Sequence, residues 1–314
     1  METRNEETPL KIRSIRAAVS AGFRLYMGNF RRIFRATWLA ALLCALVSAV
    51  YFQTAHAVMA QLLQTFGPSA LPLASDITMN YLVQSGLTLL NALVSVFFMS
   101  YAFSMLASHR ADGAIPYPTR WWSLPDSHAL MRTLASTAVW FLTYMVVGCI
   151  VSSMVMLGVH RHSFTLIGFS LVAALVFVAL MLPLVYPHMR YLTTRDTKLF
   201  SLLRTGYGQG LRQWGYIFAI LFVVLLIMML ILTATMLPAI ILFTASMKSQ
   251  AGALIGDPLG MPSYMGWLSF LVFILSGFVQ AYVVLAIHFP VYYMAGSIEQ
   301  QDIQKNETAA NTLH

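Results

Sequence analysis

Long apolar runs alternate with short charged segments along this chain, and the runs have membrane length. About 20 apolar residues carry a helix across a bilayer. Six stretches reach that length, at roughly 36–60, 82–107, 133–158, 164–187, 215–244 and 266–294. None has Asp, Glu, Lys or Arg in its central part. A single such charge at mid-bilayer costs about 2.5–3.5 kcal/mol on insertion scales. The pattern predicts an all-α membrane protein whose six transmembrane helices form three hairpins.

Before the first run the period changes. Ile12, Ile15, Val19, Phe23, Tyr26, Phe30 and Ile33 recur at spacings of three and four, and most of the basic residues fall off that stripe. This is the pattern of an amphipathic helix in the membrane interface, over about 11–35. A second such helix is predicted over about 198–214, where Leu199, Leu203, Tyr207, Leu211 and Trp214 make the stripe. Residues 1–10 and 296–314 read as tails. Ala55-His56-Ala57 mimics a signal-peptide cleavage site, but the apolar run before it far exceeds a signal h-region of ~7–15 residues. The first span is therefore expected to be retained.

The two amphipathic segments correspond. At an offset of 184 positions, Gly22-Phe23 matches Gly206-Tyr207, Asn29-Phe30 matches Gln213-Trp214, and Ile33-Phe34 matches Ile217-Phe218. A shorter middle unit carries Ala129-Leu130-Met131-Arg132-Thr133, similar to Ser201-Leu202-Leu203-Arg204-Thr205. The chain thus reads as three units of amphipathic helix plus hairpin, in parallel orientation rather than the inverted one of many transporters. A Gly-aromatic pair, then Asn/Gln-aromatic, then a hairpin resembles the bacterial six-helix membrane families that include the membrane domain of some glycerophosphodiester phosphodiesterases. The phosphodiesterase catalytic domain has no counterpart here, so the resemblance implies an architecture and no reaction.

Composition agrees with the pattern: 59% of the 314 residues are hydrophobic, 10% are charged, and mean hydropathy is +0.72. Soluble domains are nearer a quarter charged, so soluble enzyme, disordered regulator and disulfide scaffold are excluded. The net charge of +8 would suggest nucleic acid in a soluble chain, but its placement turns it into a topology signal. The segment before the first span holds eight Lys and Arg, the second connection three, the fourth five and the C-terminal tail one. Only Arg161 and Lys248 fall on the other side. By the positive-inside rule both termini are cytoplasmic, and the expected location is a bacterial inner membrane. Cys44 and Cys149 lie inside apolar runs and read as small apolar residues, not as a disulfide or a metal pair.

Candidate chemistry is sparse. There is no HExxH, CxxC, G-x-S-x-G or pair of intramembrane carboxylates. Gly206-Tyr207-Gly208-Gln209-Gly210 lacks the strand and the Lys of a phosphate loop and reads as a packing segment. His56, His160 and His162 are placed near the outer face, with Asp76 or Asp257, as the candidate metal or proton site. Asn91 and Gln280 are the candidates for a polar path through the bundle. Arg13, Arg16, Arg24, Arg31, Arg35, Arg204 and Arg212 are the candidate contacts to anionic lipid or a partner. His109, His128, His188 and His288 are expected at solvated or snorkelled positions. The leading expectation is a non-enzymatic envelope-organising or scaffold protein that binds anionic inner-leaflet headgroups, a protein partner or a second copy of itself. A transporter or flippase for an apolar or amphipathic molecule is the alternative, and a membrane-embedded enzyme the third. No cofactor and no nucleic-acid partner are expected.

Overall fold

The computed structural model describes residues 8–65, 74–117, 125–194, 197–254 and 262–311, with the backbone alone over 56–65, 74–78, 80–81, 250–251 and 253–254. Among the described residues the chain is helical without strands: α1 (Ile15–Gly28), α2 (Phe30–Thr65), α3 (Ala74–Asp112), α4 (Ser127–His160), α5 (Phe164–Met181), a 3-10 turn (Leu182–Leu184), α6 (Val185–Thr193), α7 (Leu199–Arg212), α8 (Trp214–Leu254) and α9 (Met265–Asn311). Six helical stretches are long and apolar enough to cross a membrane, within α2, α3, α4, α5–α6, α8 and α9. The fourth runs from Phe164 to Thr193 through the 3-10 turn. Pro183 sits in that turn, where its missing N–H would otherwise leave a gap in an α-ladder.

The amphipathic segment predicted as one helix over 11–35 is two. Asn29 ends α1: its side-chain Nδ2 donates to Leu25 O, and its backbone N–H points back at Leu25 and Tyr26. An amide that bonds its own backbone favours a helix end over a helix interior. Residues 30–35 therefore open α2 instead. Gln213, the position matched to Asn29, likewise separates α7 from α8, with its backbone N–H pointing back at Gly210 and Leu211. The offset of 184 thus relates two helix breaks as well as two sequence patterns.

The last helix is the axis of the molecule. It packs against α1, α2, α3, α6, α7 and α8, and every residue from Phe289 to Glu299 is buried. A helix buried all round needs small or aromatic side chains that neighbours can approach closely. Around it Tyr26, Phe30 and Phe34 meet Phe278, Tyr282 and Phe289 in a ladder of edge and stacked ring contacts. Against this axis α1 lies so close that a Cβ on Gly22 would stand 2.4 Å from Pro290 N. The counterpart in the other unit repeats the device: a Cβ on Gly206 would stand 2.7 Å from Pro187 Cβ. Each amphipathic helix seats a glycine on a proline of an apolar helix, so the glycine-rich stretch 206–210 is a packing surface.

Away from the axis, α4 and α5 pack on each other and leave most of their apolar surface uncovered, including Phe141, Phe164, Phe169 and Leu175. Water would not tolerate such a surface, whereas lipid chains do. Gly277 meets Ala45 across α9 and α2, while Gly148 faces open space.

Candidate functional site

Polar chemistry concentrates at one end of the bundle, where the arginine-bearing segments lie. The residues expected to form a tail beyond 295 are instead the continuation of α9. No proline interrupts the helix there, and its buried face carries on through Ser297 to Glu299. Glu299 is 9% exposed and accepts both Nη2 contacts of Arg110, at 2.9 and 2.8 Å, while Arg190 Nε lies 3.4 Å from the same carboxylate. Arg110 sits in the last turn of α3, Arg190 in α6 and Glu299 in α9. One carboxylate therefore joins the ends of the second, fourth and sixth apolar helices. A burial this deep is tolerated because the charges are paired.

Next to the cluster the segment before α1 crosses α9. Arg13 N donates to Ser297 Oγ (2.9 Å), and Tyr216 OH donates to Arg13 O (2.9 Å). The Arg13 guanidinium turns inward, donating to the carbonyls of Thr8, Pro9 and Lys11, and lies 4.6 Å over the Tyr293 ring. Desolvation pulls its pKa down from the ordinary value, opposed by the neighbouring hydroxyls of Tyr293, Tyr216 and Tyr292. Arg13 was expected at the headgroups; it is a buried clamp. His109 Nδ1 and Tyr292 OH are 3.0 Å apart, and Gln213 Nε2 donates to Gln301 Oε1 at 2.6 Å.

Between α1, the end of α3 and α9 lies a groove of about 720 Å³. Lys11, Arg13, Arg24 and Arg32 line it, and no Asp or Glu does among the described residues. Its wall on α1 is made of Ala17, Ser20 and Ala21, one turn apart from the arginines, so the floor is low and polar at its edges. Arg32 is fixed by a bond to Ile115 O (3.1 Å). Such a surface can hold an anion; it offers no nucleophile beside a base and no set of carboxylates.

The remaining predicted residues divide clearly. Arg16, Arg24, Arg31, Arg35, Arg204 and Arg212 are exposed, and Arg35 also donates to Tyr117 OH at 2.6 Å. Asn91 accepts a hydrogen bond from Ser48 (3.0 Å), joining α3 to α2, and Gln84 accepts one from Thr54 in the same interface. Gln280 is half-buried on α9, and neither it nor Asn91 lines the groove. His160 and His162 are exposed in the α4–α5 turn at the opposite end, His162 at φ 50°. The side chains of His56 and Asp76, and the whole of Asp257, lie outside the described residues. Among the described residues no three His, Cys, Asp or Glu side chains come together as a metal site.

Of the four histidines expected at solvated or snorkelled positions, three are not solvated. His109 is 2% exposed, His288 packs edge-on to Phe103, and His188 Nδ1 receives Ser136 Oγ and Trp140 Nε1, at 2.5 and 2.8 Å. Two donors share that one acceptor, which holds α6 against α4. Only His128 is exposed. Sequence reasoning missed Glu299, Arg110 and Tyr292. One signal was available: Tyr292, Ala295 and Glu299 continue a helical stripe, with no proline to end it.

The fold defines a class: among the described residues it is all-α, with six apolar helices of membrane-spanning length, compatible with a multi-pass membrane protein. Comparison with protein-family models, curated proteins and solved structures found no match.

Proposed function

We propose that this protein is a non-enzymatic, multi-pass inner-membrane protein that organises its surroundings by holding anionic lipid headgroups at its cytoplasmic face. In this reading the basic end is cytoplasmic, the six apolar helices pair as three hairpins, and α1 and α7 are its interfacial platforms. The observation that carries it is the pairing of exposed cations with exposed apolar side chains on the same short helices. On α1 and the start of α2, Arg16, Arg24, Arg31 and Arg35 are exposed together with Ile15, Met27 and Phe30. On α7, Arg204 and Arg212 are exposed together with Phe200 and Leu211. Cytosol suits the first set and not the second, whereas the headgroup region suits both. The interhelical bonds of Asn91 and Gln84 support a packed bundle over a substrate path.

The test is lipid selectivity. The protein is reconstituted in nanodiscs of mixed phosphatidylcholine and phosphatidylglycerol, and the retained lipid is identified by native mass spectrometry. Enrichment of phosphatidylglycerol is expected, falling when Arg16, Arg31 and Arg35 are changed together to Glu. Each exposed cation contributes about 1 kcal/mol near an anionic leaflet. Retained lipid that mirrors the bulk composition would remove the proposal.

A further inference from the structure

Resting on that reading, we infer that the groove beside α1 is a discrete, one-to-one site for a phosphate group, the headgroup of an anionic amphiphile. Exposed arginines spread over a face attract a leaflet without choosing a molecule, but a groove can hold one. Three observations separate the two cases. First, the groove gathers Lys11, Arg13, Arg24 and Arg32 with no carboxylate in its described lining. Arg13 is committed to three backbone carbonyls and the Tyr293 ring, so it is the wall, and Lys11 and Arg32 offer charge to a ligand, with Arg24 beside them in the lining. Both protein contacts of Arg32 use Nη1, to Ile115 O and Asn29 Oδ1. A guanidinium has five N–H donors, so the head is oriented while most of its donors stay available to a ligand.

Second, the dimensions suit a headgroup. A volume of about 720 Å³ falls within the range of roughly 300–1,000 Å³ usual for small-molecule sites. Ala17, Ser20 and Ala21 keep the α1 side low, and Ser20 and Asn29 add neutral donors. Phosphate oxygens accept several hydrogen bonds at once, which is what clustered guanidinium and hydroxyl groups provide. Third, the rim carries an exposed apolar side chain: Ile12 lines the groove at 44% exposure. A free anion has no use for it, whereas the glycerol and acyl ends of a lipid do.

The experiment uses the full chain in pure phosphatidylcholine nanodiscs, titrated calorimetrically with dihexanoyl phosphatidic acid and, separately, with inorganic phosphate. Saturable binding at one site per protein is expected for the short-chain lipid. Arg24→Gln and Arg32→Gln are each expected to weaken it about tenfold or more, the usual size of a charge-assisted hydrogen bond. Arg161→Gln, exposed in the α4–α5 turn at the opposite end, is expected to leave it unchanged. Ser20→Trp fills the groove without touching a charge and is expected to abolish binding, which covers the case of an arginine variant that misfolds. If inorganic phosphate binds as tightly and is lost in the same variants, the phosphate site stands and its ligand is a free anion. Absence of saturable binding of either probe, or equal weakening by Arg161→Gln, overturns the site. In that event phosphatidylglycerol enrichment in mixed nanodiscs still decides the broader reading, so the two failures are distinguishable.

Discussion

Replacing Glu299 by Gln tests whether α9 is held by its ionic clamp or only by its apolar faces. The substitution keeps shape and one acceptor but removes the charge that both Arg110 and Arg190 face. The side chains are 15%, 28% and 11% exposed for Arg110, Arg190 and Glu299. Ion pairs at a fully wet surface contribute about 0–1 kcal/mol, and breaking a buried pair costs about 3–5 kcal/mol. These exposures lie close to the buried limit, so we expect a loss of about 2–3 kcal/mol, with two guanidinium groups left facing one another. That is roughly 30- to 150-fold in the folded-to-unfolded ratio. The assay is SDS titration in mixed micelles followed by far-UV circular dichroism, with Glu307→Gln, exposed on the same helix, as the control. In the Arg110→Gln/Glu299→Gln cycle the double variant should be less damaged than the sum of the singles, because the second change relieves an unpaired charge. A Glu299→Gln protein within about 0.5 kcal/mol of wild type, the noise of a surface substitution, would refute the reasoning.

Further outcomes follow from the same contacts. Gly22→Ala places a methyl 2.4 Å from Pro290 N, a backbone atom that cannot turn aside. Thermal unfolding in detergent should show it destabilised by about 1–3 kcal/mol. Gly208→Ala, with nothing within 4 Å, should instead gain about 0.5–1 kcal/mol from helix propensity. Equal melting temperatures for the two would argue against the glycine-on-proline seat. Arg13→Lys removes the planar fork that reaches three carbonyls and stacks on Tyr293, and protease-resistance curves should register a loss of about 1–3 kcal/mol despite the retained charge. Asn91→Leu should cost about 0.5–1 kcal/mol of stability, and Ser48→Ala on the same background almost nothing more, since the pair bonds only to hold α2 and α3. A full second penalty from Ser48→Ala would show that the hydroxyl serves another partner.

The correspondence between Gly22 and Gly206 shows how far a pattern reaches. Spacing reveals that two segments match at an offset of 184, and the matched Asn29 and Gln213 do mark two helix breaks. Yet nothing in the spacing says that the breaks separate helices, because an amide at that position suits a helix interior facing solvent as well as a cap. The prolines that receive the glycines, Pro290 and Pro187, stand far off in the chain. In the fold they are the seats of the two glycines. Arg13 is the same lesson in charge. Off-stripe arginines look alike until the carbonyls of Thr8, Pro9 and Lys11 close around one of them.

By itself the sequence determined the six apolar helices, their approximate limits and the end that gathers the basic residues. Those follow from transfer free energies, which sum residue by residue and need no knowledge of neighbours. Only the tertiary structure decided that residues 296–299 are core rather than tail, that one carboxylate joins three helix ends, and that a groove free of described acidic residues lies beside α1. These depend on which distant groups meet. Pairing energy exists only between partners brought within a few ångströms, and no local pattern encodes it.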